Sequence, residues 1–105
     1  MSQKKVLVTG SSRGIGRSIL KFFSSKEFIP IGTATSKIGV ENILKSFEEN
    51  DISGYAYELN LNDGNSIDSF FEKIKTDNLN PEILVNNAGI AKDNLMLRTV
   101  SYTHL

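Results

Sequence analysis

Three glycines and an arginine fall within the eight residues Thr9-Gly10-Ser11-Ser12-Arg13-Gly14-Ile15-Gly16, between an apolar run and an apolar-periodic stretch. That spacing suits a phosphate-binding turn. Gly10 lets the chain leave a strand in a tight turn, and Gly14 lets backbone approach a pyrophosphate without a Cβ in the way. Gly16 lets the helix that follows pack close to the strand. The free N–H groups of the first helical turn, at the positive end of the helix dipole, then face the anion. Ser11 and Ser12 add hydroxyl donors, and Arg13 adds a cation, although a solvated surface position is the plainer reading of an arginine. No Gly-Lys-Ser/Thr follows, so the turn is not a Walker P-loop. Glycines near a turn can be turn chemistry alone. Their place after a strand and before an amphipathic helix favours the phosphate.

The elements that must position this turn are legible in the apolar pattern. Lys5-Val6-Leu7-Val8-Thr9 is a short apolar run stopped by Gly10, the pattern of a strand (β1) buried on both faces. From Gly14, a stripe of Ile15, Ile19, Phe22 and Phe23 predicts a helix (α1) to about Ser25. Ile29-Pro30-Ile31-Gly32-Thr33 reads as β2, with Pro30 tolerated only near a strand start because it has no N–H to give. Val40, Ile43, Leu44 and Phe47 predict α2 over roughly Ile38 to Glu49. Tyr55 to Leu59 is expected as β3, where Tyr55 and Tyr57 have ordinary packing roles. Asn62 or Asp63 can cap α3, whose face is Ile67, Phe70, Phe71 and Ile74. After Pro81, Ile83-Leu84-Val85 forms β4 and runs into Asn86-Asn87-Ala88-Gly89. The series βαβαβαβ predicts an α/β fold with a parallel sheet, right-handed crossovers and helices on both faces. A flavodoxin-like sheet would read the same way at this level.

Composition narrows the function classes. The chain has 105 residues, with 12 Lys+Arg against 12 Asp+Glu, no cysteine and one histidine. An even charge balance argues against nucleic-acid or membrane-surface binding, since both need a cationic face. Without cysteine there is no disulfide scaffold, thiolate metal site or Cys nucleophile, and His104 alone cannot build a multi-histidine site. No apolar run approaches the ~20 residues of a membrane span, and the start does not read as a signal peptide. The cytoplasm is the expected compartment.

The end of β2 bears on which dinucleotide the turn would take. NAD-binding domains of this architecture place an acid there to hold the ribose hydroxyls, and that carboxylate repels a 2′-phosphate. Here the segment is Gly32-Thr33-Ala34-Thr35-Ser36, with no acid before Glu41, and Arg13 and Lys37 are available as cations. NADP(H) is therefore expected over NAD.

Thr9-Gly10-x-x-x-Gly14-x-Gly16, joined with Asn86-Asn87-Ala88-Gly89 about 70 residues later, resembles the short-chain dehydrogenase/reductase family. Within it, Gly32 to Ser36 and Asn86 to Leu95 look like the bacterial 3-oxoacyl-[acyl-carrier-protein] reductases. The resemblance covers about residues 4 to 98. It implies the amino-terminal part of a Rossmann-type doubly wound sheet with strand order 3-2-1-4. It also implies NADPH-dependent reduction of an acyl-carrier-protein-bound 3-oxoacyl thioester in fatty acid synthesis, usually by a homotetramer. Carried over by position, Gly10, Ser11, Ser12 and Arg13 would contact the cofactor phosphates, and Gly14, Ile15 and Gly16 would complete the turn. Thr35 would lie beside the ribose phosphate, and Asn60 and Leu61 would border the adenine. Asn87, Ala88 and Gly89 would contact the ribose and support β4, while Asn86 is expected to be mainly structural.

The family's catalytic serine and Tyr-x-x-x-Lys pair stand after the fourth strand, and neither occurs in this chain. Tyr102 is too close to Gly89 to be that tyrosine, so the chain alone is expected to be inactive, and insoluble or molten. A different carbonyl substrate, or a non-catalytic nucleotide-binding module, remains a competing reading. The partial domain is expected to end at residue 98. The segment Thr99 to Leu105 reads as a non-native tail, since Val100-Ser101-Tyr102-Thr103-His104-Leu105 matches the translation of a transposase end sequence used in preparing sequencing libraries. A natural frayed terminus is the competing reading.

Overall fold

The computed structural model describes residues 4–12, 14–23 and 27–87. The elements are β1 (Lys4–Val8), α1 (Gly14–Phe22), β2 (Phe28–Ala34), α2 (Lys37–Glu49), β3 (Tyr55–Glu58), α3 (Gly64–Thr76) and β4 (Ile83–Val85). The four strands form one sheet in the order β3-β2-β1-β4, and every pairing is parallel. This is the expected α/β arrangement of a partial Rossmann-type sheet.

β1 lies between two strands, and Val6, Leu7 and Val8 are fully buried. Leu7 joins Ile31, Leu59, Ile67, Phe70 and Ile74 in one core beneath α3. Val6 and Val8 join Leu20, Ala34, Ile43 and Phe47 in a second core beneath α1 and α2. Alternate residues of the same strand therefore feed opposite faces, which is why β1 carries no polar position in its centre. Among the described residues β4 pairs only with β1, and its three residues are half-buried.

The strand and helix ends differ from expectation by one or two residues, and Ser24 and Ser25 lie outside the described part. Pro30 stands within β2 rather than at its start. Pairing of β2 with β3 begins only at Ile31, one residue later, so the missing N–H falls before that ladder. Helices α2 and α3 end alike, on a left-handed residue: Asp51 at φ 55° and Asn78 at φ 60°. Ile52 N–H donates to Phe47 O and Leu79 N–H to Ile74 O, both at 2.8 Å, so orphan carbonyls are capped as the chain turns toward the next strand.

The buried face of α1 requires a correction. Gly16 and Leu20 are the buried residues of the helix, whereas Ile15 is 74% and Phe22 80% exposed. The stripe is rotated from Ile15-Ile19-Phe22-Phe23 to Gly16-Ile19-Leu20-Phe23. A Cβ on Gly16 would stand 2.2 Å from Gly10 O, so the helix approaches the sheet through its bare glycine. Leu20 then enters the core one turn later. In α2, Leu44 is likewise outside, 46% exposed, while Ile43 and Phe47 face the sheet.

Candidate functional site: the glycine-rich turn and the hollow beside it

The turn after β1 reverses on two left-handed glycines, Gly10 at φ 60° and Gly14 at φ 66°. A side chain at either would be strained. Among the described residues nothing lies within 4 Å of where a Gly14 Cβ would project, so the turn keeps an open approach there. Gly16 is the opposite case, crowded by Gly10 O and by Asn87 Nδ2. The first turn of α1 contains no acidic residue, and its positive end is unopposed by a carboxylate of its own.

Both asparagines after β4 reach back to this turn. Asn87 Nδ2 donates to Gly10 O at 3.0 Å, and Thr9 Oγ1 donates to Asn86 Oδ1 at 3.0 Å. Thr9 N–H also donates to Val85 O at 3.1 Å. The two motifs, far apart in sequence, are thus one structural unit, and Asn86 has the structural role expected of it.

Ser11 differs from its expectation as a hydroxyl donor to phosphate. The residue is fully buried, and its Oγ donates to Val8 O at 3.0 Å while accepting Thr33 N–H at 3.0 Å. Its hydroxyl serves the sheet because β1 has ended and β2 continues past it. Ser12 is half-buried, and its carbonyl accepts a hydrogen bond from the Arg17 guanidinium. Arg17 was not singled out by the motif. Long helical side chains lean toward the N-terminus, and that lean lets Arg17 reach back over the turn. Thr33 was also missed; its signal was only a hydroxyl residue at the end of β2, opposite the glycine turn. Arg13, Ala88 and Gly89 lie outside the described residues, as does the tail from Thr99 to Leu105.

Beside the turn is a small hollow of about 70 Å³, lined by Thr9, Gly10, Thr33, Ala34, Thr35, Leu59, Asn60, Leu61 and Asn62. It brings together Gly10, Thr35, Asn60 and Leu61, which the sequence places on three separate segments. Its floor is apolar: Leu61 is 7% exposed and belongs to the core beneath α3. Thr9, Thr33, Thr35, Asn60 and Asn62 also line it, and no carboxylate is among the described lining residues. Asn60 shapes the loop after β3, where its Oδ1 accepts Asn62 N–H at 3.0 Å and its own N–H donates to Ser66 Oγ at 2.9 Å. At the mouth, Thr35 is exposed and Ser36 caps α2 by accepting Gly39 N–H at 3.1 Å. Gly39 has no Cβ to strike Ala34, which would lie 2.6 Å away, so α2 begins hard against the end of β2.

The hollow adjoins the turn and the N-terminus of α1, so a dinucleotide held here would place its base at the hollow and its phosphates on the turn. Ser12, Gly14 and the first N–H groups of α1 would hold the pyrophosphate, and Thr35, Asn60 and Leu61 the adenosine end.

Comparison with known proteins agrees with this geometry. A sequence model of the short chain dehydrogenase family matches residues 4–102, a span that enters the tail segment. The 3-oxoacyl-[acyl-carrier-protein] reductase FabG of Haemophilus influenzae is 48% identical over 98 residues, covering 93% of this chain and 39% of that protein. The FabG reductase of Escherichia coli is 45% identical over 95 residues, covering 90% of this chain and 38% of that protein. That of Pseudomonas aeruginosa is 40% identical over 95 residues, with the same coverage of 90% and 38%. The chain therefore spans about two fifths of the length of these relatives. With its glycine turn locked to the Asn-Asn segment, its parallel sheet and this match over nearly its whole length, the chain belongs to the short-chain dehydrogenase family of oxidoreductases.

Proposed function

We propose that these residues form the amino-terminal, cofactor-binding part of an NADPH-dependent reductase that converts a 3-oxoacyl-[acyl-carrier-protein] thioester to its 3-hydroxyacyl form. The observation that carries the cofactor choice is the hollow beside the turn, whose described lining residues include Thr and Asn side chains and no carboxylate. A 2′-phosphate meets no repelling charge there. The substrate class rests on the names of the relatives, each a 3-oxoacyl-[acyl-carrier-protein] reductase.

When bound, the nicotinamide supplies the hydride that reduces the carbonyl. The part of the work assigned to this chain is binding and orientation. The turn holds the phosphates, Thr35 and Asn60 hold the adenosine end, and Asn87 keeps the turn against β4. The proton-donating chemistry belongs to residues outside the chain, so the 105 residues alone are inactive in this reading. The complete enzyme works in the cytoplasm as a homotetramer.

The test is to recover the coding sequence beyond codon 98, express the complete protein and follow NADPH oxidation with an acetoacetyl thioester of acyl carrier protein. Turnover with NADPH well above that with NADH is the expected result. A preference for NADH, or a coding sequence that lacks the Ser and Tyr-x-x-x-Lys residues, would overturn the proposal.

A further inference from the structure

Past the end of β1, the chain does not leave β2. Ser11 N–H donates to Thr33 O at 2.9 Å, and Thr33 N–H donates to Ser11 Oγ at 3.0 Å, so Ser11 occupies the place of one more paired residue, its side-chain oxygen standing in for a carbonyl. Ser11 Oγ donates in turn to Val8 O at 3.0 Å. Gly10 N–H, inside the turn, donates to Thr33 Oγ1 at 3.2 Å. Gly32 leaves room for this arrangement, since a Cβ there would lie 2.7 Å from Ser11 Oγ. Ser11 is fully buried and Thr33 is 1% exposed, so water does not replace these bonds.

We propose that Thr33, joined to Ser11, is a positioning residue for dinucleotide binding, which fastens the phosphate turn to the end of β2 and thereby sets its distance from the adenosine hollow. The reasoning rests on the cofactor site proposed above. Thr33 orients the Gly10 peptide through its hydroxyl and the Ser11 peptide through its carbonyl, and Thr35, which also lines the hollow, is two residues further along, just past the end of that strand. A shift of the turn would therefore misplace the phosphates relative to the base, whichever nicotinamide dinucleotide is bound. The effect separates Thr33 from a residue that contacts the 2′-phosphate, whose loss would weaken NADPH binding alone.

The experiment compares Thr33→Val, Thr33→Ser and Ser11→Ala in the complete enzyme that carries these residues. Binding of NADPH and NADH is read by fluorescence titration, and exchange of the Gly10 amide by NMR without ligand. Replacing the hydroxyl by a methyl group removes one buried hydrogen bond, for which about fivefold weaker binding of both dinucleotides is expected. Thr33→Ser keeps the hydroxyl and restores affinity, and in Thr33→Val the Gly10 amide exchanges faster. Unchanged affinity in Thr33→Val, loss of NADPH binding only, or a Thr33→Ser enzyme as weak as Thr33→Val would each overturn the proposal. If Thr33→Val does not fold, Ser11→Ala with unaltered binding has the same force. A wild-type enzyme that binds neither dinucleotide overturns the cofactor reading itself, and this proposal with it.

Discussion

Three glycines at or near helix starts give one substitution three different outcomes. In Gly16→Ala, the new methyl carbon would stand 2.2 Å from Gly10 O and 2.6 Å from Asn87 Nδ2. Neither neighbour is the free end of a flexible side chain, because Asn87 Nδ2 is itself bonded to Gly10 O at 3.0 Å. Overpacking of this kind costs about 1–3 kcal/mol, and breaking the Asn87 bond adds about 1 kcal/mol, so a loss of roughly 2 to 4 kcal/mol is expected. That is a large share of a domain's stability. In Gly14→Ala the space is open, but φ is 66°, and an alanine pays only the left-handed strain of roughly 1–2 kcal/mol. Gly64 opens α3 with open space and no left-handed φ, so Gly64→Ala is stabilising by about 0.4–1 kcal/mol. Equilibrium urea unfolding of the complete protein that carries these residues measures all three. The order Gly64→Ala above wild type, then Gly14→Ala, then Gly16→Ala is required. A Gly16→Ala protein as stable as Gly14→Ala would refute the close approach of α1 to the turn.

Further outcomes follow from single residues. Arg13→Ala in the complete enzyme lowers NADPH affinity selectively, and a ratio of NADPH to NADH affinity that stays the same would remove Arg13 from the cofactor site. Ser36→Ala removes the acceptor for Gly39 N–H and costs about 1 kcal/mol in a thermal or urea melt, as N-cap losses do. Tyr57 donates to Asp77 Oδ2, and burial first, then that hydrogen bond, push its phenol above the usual value of 10.0. The folded state therefore holds this proton more tightly than the unfolded chain. The Tyr57 contribution is fully present below pH 10.0 and is lost as pH rises beyond it, so Tyr57→Phe should flatten the alkaline fall of the urea midpoint.

The topology and most of the cores were legible because buried strands and amphipathic helices have different periods. Val6, Leu7 and Val8 announced a strand covered on both faces, and the spacing of Ile67, Phe70 and Ile74 gave the inner face of α3. The face of α1 was misread for a physical reason: apolar periodicity counts large side chains, whereas the residue that sets the approach of α1 is Gly16, which has none. Ile15 and Phe22 then fall outside. The hydroxyls misled in the same way. Ser11 and Ser12 are indistinguishable as residue types, and only the end of β1 against a continuing β2 turns Ser11 inward and leaves Ser12 half-buried.

The sequence by itself determined that a glycine-rich turn stands between a strand and a helix, that the chain alternates strand and helix, and that no acid stands between the end of β2 and Glu41. These are statements about local residue type and spacing, which the backbone of each segment expresses without reference to the rest. Only the tertiary structure decided that Asn86 closes on Thr9 and Asn87 on Gly10, that Arg17 reaches the Ser12 carbonyl, and that Thr33 and Ser11 share their hydrogen bonds. Each of these joins a donor to an acceptor across strands or across a helical turn, and parallel crossovers bring such groups together at distances that no sequence interval encodes.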